Sequence, residues 1–138
     1  MQPIKNELPL SAFALPFALF LFTLISNSAL AAISSIEKRG AFYEVLDDAG
    51  AKTATLPASI GSMVGWGADY FIVKRPAGST FWYDLYSESG RKYKTLASSI
   101  GEIRNVSSAS FVVRRLAGST AWLDTYDKAG NKTATRAE

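Results

Sequence analysis

Two short segments place an aromatic residue, a carboxylate and a second aromatic residue at alternate positions. They read Trp82, Asp84, Tyr86 and Trp122, Asp124, Tyr126. If each segment is a β-strand, its three side chains share one face, because successive side chains of a strand point to opposite sides. Such a face could bind a sugar, whose apolar C–H face would stack on a ring while the carboxylate accepts hydroxyl hydrogen bonds. The alternative is a core aromatic with a structural carboxylate tied to an arginine or a turn amide.

Basic pairs recur near the same segments and suggest a site for anions. The pairs are Lys74-Arg75 and Arg114-Arg115, with Lys38-Arg39 as a third candidate. A band of positive charge suits sulfated or phosphorylated glycans and other anions. The alternative is a solvated strand end, or salt bridges to Glu44, Asp84 and Asp124 on adjacent strands. Adjacent residues point to opposite faces, so at most one member of each pair can serve a given face.

Trp66 is a further candidate for ligand binding. It lies in Gly65-Trp66-Gly67, whereas the aligned segment 40 residues later is Asn105-Val106-Ser107. This departure from the repeat indicates either a binding loop or sequence drift at a turn.

The composition gives little support to catalysis. The chain has no His and no Cys, so acid–base work by imidazole and attack by a thiolate are excluded. Asp84 and Asp124 could in principle hydrolyse a glycoside, but equivalent repeat positions would not separate their pKa values into acid and base. Asp47 and Asp48 lack the further acids of an EF-hand loop. We expect no enzyme activity, no cofactor and no metal. The net charge is only +3, and basic and acidic residues are interspersed along the chain, which does not indicate nucleic-acid binding.

A repeat with a period of 40 residues positions these candidates. Identical residues recur at Gly50, Gly90, Gly130, at Lys52, Lys92, Lys132 and at Thr55, Thr95, Thr135. A fixed period without slippage indicates repeated structural units. We place the units at about residues 32–56, 57–96 and 97–138.

Alternating patterns and short runs of aromatic or β-branched residues predict eleven strands. They are Ser34–Arg39, Phe42–Asp47, Lys52–Leu56, Ser62–Gly67, Tyr70–Arg75, Phe81–Tyr86, Lys92–Leu96, Glu102–Ser107, Phe111–Arg115, Ala121–Tyr126 and Lys132–Arg136. Gly50, Gly90 and Gly130 each follow a polar run, which predicts a hairpin with a left-handed glycine and a bulge. The short connections predict that neighbouring strands pair as an antiparallel meander.

The predicted fold is all-β, an antiparallel meander of about three 40-residue repeat units. Four strands per unit resembles the blade of a β-propeller, with the spacing of WD40-type blades but without their GH and WD dipeptides. The spacing is also similar to that of small two-blade lectins, in which several chains complete a ring. This resemblance implies blade-like sheets. A β-trefoil or a small closed barrel is the alternative.

Residues 1–31 are predicted to be a secretory signal peptide. An uncharged apolar run at residues 12–25 precedes Ala29-Leu30-Ala31, the small-x-small pattern of a cleavage site. The alternative is an uncleaved anchor, but the run is shorter than the ~20 residues that span a bilayer. We therefore expect cleavage near Ala31, a secreted or periplasmic location, and a single domain at residues 32–138 without a membrane span.

The sequence as a whole predicts a non-enzymatic binding module, with a carbohydrate or envelope component as its ligand. The alternative is a structural or assembly subunit that pairs through sheet edges with copies of itself or with a larger envelope partner. The first unit has only three strands, and fewer than about four blades cannot close a ring, so we expect a homo-oligomer. Exposed Trp82 and Trp122 would favour ligand binding, whereas buried ones would favour a structural role.

Overall fold

The computed structural model describes residues 32–138, and the predicted signal peptide lies outside the described residues. Eleven strands make up most of this part of the chain, and it contains no α-helix. The strands are β1 (Ile33–Arg39), β2 (Phe42–Asp47), β3 (Lys52–Pro57), β4 (Ser62–Trp66), β5 (Tyr70–Ala77), β6 (Thr80–Ser87), β7 (Lys92–Ala97), β8 (Glu102–Val106), β9 (Ser110–Ala117), β10 (Thr120–Asp127) and β11 (Lys132–Ala137). Two short 3-10 turns, Ala58–Ile60 and Ser98–Ile100, precede β4 and β8. Within residues 32–138, no helix has the length and apolar character needed to cross a membrane.

The strands form three antiparallel sheets in which each strand pairs with its neighbour in sequence. The first sheet contains β1 to β3, the middle sheet β4 to β7, and the third sheet β8 to β11. The predicted all-β antiparallel meander is therefore confirmed. None of the three sheets closes on itself. The alternative of a closed barrel, or of a trefoil with its closed barrel, is therefore wrong for the described residues.

The hairpins after β2, β6 and β10 contain the glycines that the sequence indicated. Gly50, Gly90 and Gly130 have φ angles of +80°, +88° and +92°. This is the left-handed region, where glycine avoids the steric cost of a Cβ atom. In all three hairpins the strand register shifts just before the turn. The predicted left-handed glycine with an adjacent bulge is confirmed.

The β5–β6 connection is tighter than the sequence pattern indicated. β5 extends to Ala77, which pairs with Thr80, so that only Gly78 and Ser79 form the turn. Gly78 has a φ of +63°, and no other residue type has a positive φ in the described chain. A positive φ at the first central position alone is the pattern of a type II′ turn, which matches the twist of the two strands. The β9–β10 turn repeats this arrangement.

The middle sheet buries both of its faces, one against each neighbouring sheet. The first interface packs Ile33, Val45 and Leu56 against Phe71, Val73 and Tyr86. The second packs Tyr70, Ile72, Tyr83, Leu85 and Leu96 against Phe111, Val113 and Tyr126. Successive residues of β5 belong to alternate clusters. Both faces of this strand are therefore buried, and residues 70–73 form a continuous apolar run. The core of the domain therefore consists of two apolar layers, one on each face of the middle sheet.

Tyrosine hydroxyl groups add polar contacts between the sheets. Tyr43 donates a hydrogen bond to the carbonyl of Gly61 at 2.8 Å, and Tyr83 donates to the equivalent carbonyl of Gly101 at 3.3 Å. The hydroxyl group of Tyr70 lies 2.9 Å from the carbonyl of Ser107 and 2.8 Å from that of Ser110. The contact from Tyr43 to Gly61 thus recurs 40 residues later as the contact from Tyr83 to Gly101. It holds the start of each four-stranded sheet against the sheet before it.

Candidate binding face

The aromatic, acidic and aromatic triplet of β6 shares one face, as predicted, but its three members differ in exposure. Trp82 is 37% exposed, whereas Asp84 is completely buried and Tyr86 is 7% exposed. Tyr86 stacks on Phe71 with ring centroids 5.1 Å apart and planes within 3° of parallel. This face is the one that packs against the first sheet, so Tyr86 is part of the core and Trp82 lies at the margin of the interface.

The triplet of β10 repeats this arrangement on the face that packs against the middle sheet. Asp124 is completely buried, and Tyr126 is 7% exposed and stacks on Phe111 at a centroid distance of 5.3 Å. Trp122 is partly buried. The two tryptophans therefore lie at the margins of two successive sheet interfaces, each retaining part of its surface to solvent.

The carboxylate of Asp84 is bound by side chains of both neighbouring strands. Arg75 on β5 donates from Nε to Oδ2 at 2.7 Å and from Nη2 to Oδ1 at 3.3 Å. Thr95 on β7 donates to Oδ1 at 2.8 Å, and the Nζ of Lys92 lies 3.8 Å from Oδ2. Burial raises the pKa of Asp84, but the hydrogen bonds and the two cations outweigh it and lower the pKa overall.

Asp124 has the same partners one repeat later. Arg115 donates to it at 2.7 and 3.2 Å, Thr135 donates at 2.8 Å, and the Nζ of Lys132 lies 3.6 Å away. The hydrogen bonds from Arg115, opposed by burial and assisted by Thr135 and the charge of Lys132, lower the pKa of Asp124 to about 2. Both acids are thus buried and hydrogen-bonded within the sheet, and each holds an arginine that is paired across the strands with a partly exposed tryptophan.

The first sheet carries an equivalent cluster of one acid and two cations on its outer face. Glu44 replaces the aspartate, with Arg39 at 3.1 Å and Lys52 at 3.2 Å. Arg39 also pairs with Glu37 at 2.8 Å. Phe42 occupies the place of the tryptophan and is 49% exposed. Of the third candidate pair, Lys38-Arg39, only the arginine therefore joins this cluster.

The two members of each predicted basic pair lie on opposite faces of their sheet. Arg75 and Arg115 lie on the tryptophan face. Lys74 lies on the other face, with its Nζ 4.1 Å from the ring centroid of Phe81. Arg114 pairs with Glu138 at 3.0 Å. The pairs therefore do not act as units, and only the second member of each can join a site built around the tryptophans.

Trp66 lies at the opposite end of the middle sheet from Trp82. It pairs with Phe71, whereas Trp82 pairs with Arg75. The two pairing positions, Phe71 and Arg75, are four residues apart along β5, or about 13 Å. Trp66 is 36% exposed. The structure does not bring it together with the other two tryptophans.

Close packing accounts for the two glycines that flank Trp66. A Cβ atom on Gly65 would lie 2.9 Å from the side chain of Val106 on the adjacent sheet. A Cβ atom on Gly67 would overlap the ring of Tyr70 and lie 2.6 Å from the carbonyl of Ser107. The chain around Trp66 thus approaches β8 and the residues that follow it too closely for larger side chains at 65 and 67, and this explains the departure from the repeat. A cleft lined by residues 64–65 and 103–106 lies at the same place.

Sequence reasoning did not assign a role to four residues of the two clusters. They are Lys92, Thr95, Lys132 and Thr135. Their signal was already present, because lysine and threonine recur at these positions with the 40-residue period. The missing information was the strand pairing that places them beside the aspartates.

Comparison with protein-family models, with characterised proteins and with solved structures finds no match to this chain.

Proposed function

We propose that this protein is a non-enzymatic, extracytoplasmic binding module whose ligand is a glycan. The observation that carries the proposal is the pair of partly exposed tryptophans, Trp82 and Trp122, at equivalent positions of two sheets. Each has an arginine beside it in the strand pairing, Arg75 and Arg115 respectively. A flat ring next to a fixed hydrogen-bond donor offers a sugar both a stacking surface and a partner for its hydroxyl groups.

On this face the tryptophan ring and the arginine would make different contacts with a sugar. The indole ring would stack on the apolar C–H face of a sugar, and the guanidinium group would donate hydrogen bonds to its hydroxyl oxygens. Packed sheets lie about 10 Å apart, so the two tryptophans form a short row. We propose that the buried acids Asp84 and Asp124 position the arginines. They would not contact the sugar themselves.

The proposal is tested by screening the purified protein against a panel of immobilised polysaccharides. We expect at least one to bind, and the double variant Trp82→Ala, Trp122→Ala to bind it at least about tenfold more weakly, a loss of about 1.4 kcal/mol. The control is Leu116→Ala, which removes a side chain that is 65% exposed and lies outside the two clusters. Equal binding by the double variant and the control, or no binding to any glycan, would contradict the proposal.

The extracytoplasmic location is part of this proposal and depends on the N-terminal segment. Cleavage after Ala31 would give a mature chain that begins at Ala32. The N-terminal sequence of exported protein tests it, since a retained Met1 would contradict cleavage.

A second candidate function, an assembly subunit, has support from the first sheet. β1 corresponds to β5, because Arg39 bonds Glu44 as Arg75 bonds Asp84. The first sheet therefore has no counterpart of β4 among the described residues, and beyond the hydrogen bond from Ile33 to the carbonyl of Ala68 no strand pairs with the outer edge of β1. In this candidate each sheet is a propeller-like blade, and β11 of another copy, or a strand of an envelope partner, pairs with β1.

The mass of the protein in solution tests this second candidate. A homo-oligomer at tens of micromolar would support it, and a Pro substitution at Ile36 on β1 should then reduce the mass to that of a monomer. A monomer at all concentrations would exclude self-assembly through this edge and leave the binding module as the better account.

A further inference from the structure

The two tryptophan clusters contain more positive than negative charge. In the middle sheet, Arg75 and Lys92 both lie within 4 Å of the single carboxylate of Asp84. In the third sheet, Arg115 and Lys132 share Asp124 in the same way. Two cations and one anion leave each cluster with a net charge of +1.

The corresponding cluster of the first sheet has no such excess. Arg39 and Lys52 share Glu44, but Glu37 also pairs with Arg39 at 2.8 Å. Two cations and two anions give a net charge of zero. The excess charge is therefore specific to the two sheets that carry a tryptophan, and it does not follow from the repeat alone.

The cations of the charged clusters also retain hydrogen-bonding capacity. Arg75 uses Nε and Nη2 for Asp84, which leaves three of the five N–H groups of its guanidinium. Lys92 at 3.8 Å is too far from Asp84 for a hydrogen bond. The side chains of Arg75 and Lys92 are 36% and 45% exposed. Their remaining donors are thus within reach of a ligand.

Each charged cluster lies beside the ring that would hold a sugar. Arg75 and Trp82 face each other directly in the β5–β6 pairing, and Arg115 and Trp122 do so in β9–β10. The side chains of directly opposed residues begin about 5 Å apart. A sugar ring stacked on the indole would therefore place its substituents near the arginine.

We propose that the ligand is an acidic polysaccharide, whose carboxylate or sulfate groups bind Arg75 with Lys92 and Arg115 with Lys132 while its sugar rings stack on Trp82 and Trp122. This inference rests on the glycan-binding function proposed above and specifies the class of glycan. An anionic group gains charge-assisted hydrogen bonds from both cations of a cluster. Repeated anionic groups along one polymer would engage both clusters at once, which raises the overall affinity above that of either cluster alone.

The test measures binding of four polymers to the full protein. Polygalacturonate carries carboxylates, dextran sulfate carries sulfates, dextran is neutral, and poly-glutamate is an anion without sugar rings. We expect one of the two acidic polysaccharides to bind and dextran not to bind. The better of the two identifies the anionic group. Added salt should weaken the binding, since it screens exposed charges.

Matched lysine variants locate the binding. The double variant Lys92→Gln, Lys132→Gln should bind the acidic polysaccharide at least about tenfold more weakly, because each lysine contributes a charged hydrogen bond. The control is Lys94→Gln, an exposed lysine on β7 that pairs with Leu85 and so lies on the other face. We expect little change for this control.

The outcomes separate this inference from the function on which it rests. Binding of dextran as tight as that of the acidic polymers, with loss in the tryptophan variants, would overturn the acidic ligand and keep the glycan-binding function. Equal effects of the lysine double variant and Lys94→Gln would also overturn it. Poly-glutamate binding as tight as the acidic polysaccharides, unaffected by the tryptophan variants, would overturn both proposals.

Discussion

At the scale of single residues, the most informative groups are two buried aspartates. Asp84 and Asp124 each accept hydrogen bonds from an arginine on one side and a threonine on the other, and neither has any exposed surface. A buried carboxylate without partners would be strongly destabilising, whereas a paired and hydrogen-bonded one is tolerated. Each aspartate therefore joins three strands of its sheet.

We expect Asp84→Asn to lower the free energy of unfolding by about 2 kcal/mol, because it replaces charged hydrogen bonds in a buried site with neutral ones. The equivalent change in the first sheet, Glu44→Gln, should cost at most about 1 kcal/mol, because its partners Arg39 and Lys52 are more than half exposed and ion pairs with exposed partners contribute little. Urea unfolding measures both. Similar losses in the two variants would contradict the distinction between a buried and an exposed cluster.

Asp124 also predicts how stability depends on pH. Arg115 lowers its pKa to about 2 in the folded protein, below the ordinary value of about 3.9. A lowered folded-state pKa means that this group stabilises the fold fully above about pH 4 and that the contribution is lost as the pH falls towards 2. The unfolding free energy should therefore fall less steeply over this range in Asp124→Asn than in the natural chain. Equal slopes would be inconsistent with the lowered pKa.

At the scale of elements, the hairpin glycines allow the tight turns that join paired strands. Gly90 has a φ of +88°, and a Cβ atom there would lie 3.2 Å from that of Ala54 on the first sheet. We expect Gly90→Val to cost about 1–2 kcal/mol, since β-branched residues are strained at positive φ. Ser89→Ala, next to it in the same turn, should change the melting temperature little. Indistinguishable melts of the two variants would refute this.

The number and order of strands could be predicted because strands and their turns are local features. Alternation, β-branched runs and glycines act within a few residues, so eleven strands and the left-handed glycines were predictable. The ends of β5 and β6 were not, because the type II′ turn at Gly78 extends the pairing beyond the alternating pattern. The 3-10 turn Ala58–Ile60 was also not predicted, since three residues are too short for a periodic signal.

The candidate site was predictable only in part, for a physical reason. Alternation correctly placed Trp82, Asp84 and Tyr86 on one face. It could not show which of the two aromatics would be buried, because that depends on how far the first sheet covers the middle one. The partner of the aspartate was left open between an arginine and a turn amide, because register across strands decides it.

At the scale of the whole domain, the outer faces of the stack differ from the inner ones. Three core positions of the middle sheet are polar at the outer faces: Val73 corresponds to Glu37 on β1, Leu85 to Thr125 on β10, and Leu96 to Arg136 on β11. Polar outer faces are what stacked repeats need in water. These polar replacements oppose face-to-face stacking of further copies, although Phe42 and Leu116 on the outer faces are 49% and 65% exposed.

The central claim is that a glycan binds at Trp82 and Trp122, and the indole signals of the protein test it most directly. The chain has three tryptophans, so its proton–nitrogen NMR spectrum contains three indole N–H signals, which Trp→Phe variants assign. Short oligosaccharides of the tightest-binding polymer should shift the signals of Trp82 and Trp122 in parallel. The signal of Trp66, about 13 Å from Trp82 along β5, should remain in place. A shift of Trp66 alone, or no shift of any indole signal at saturation, would contradict the account.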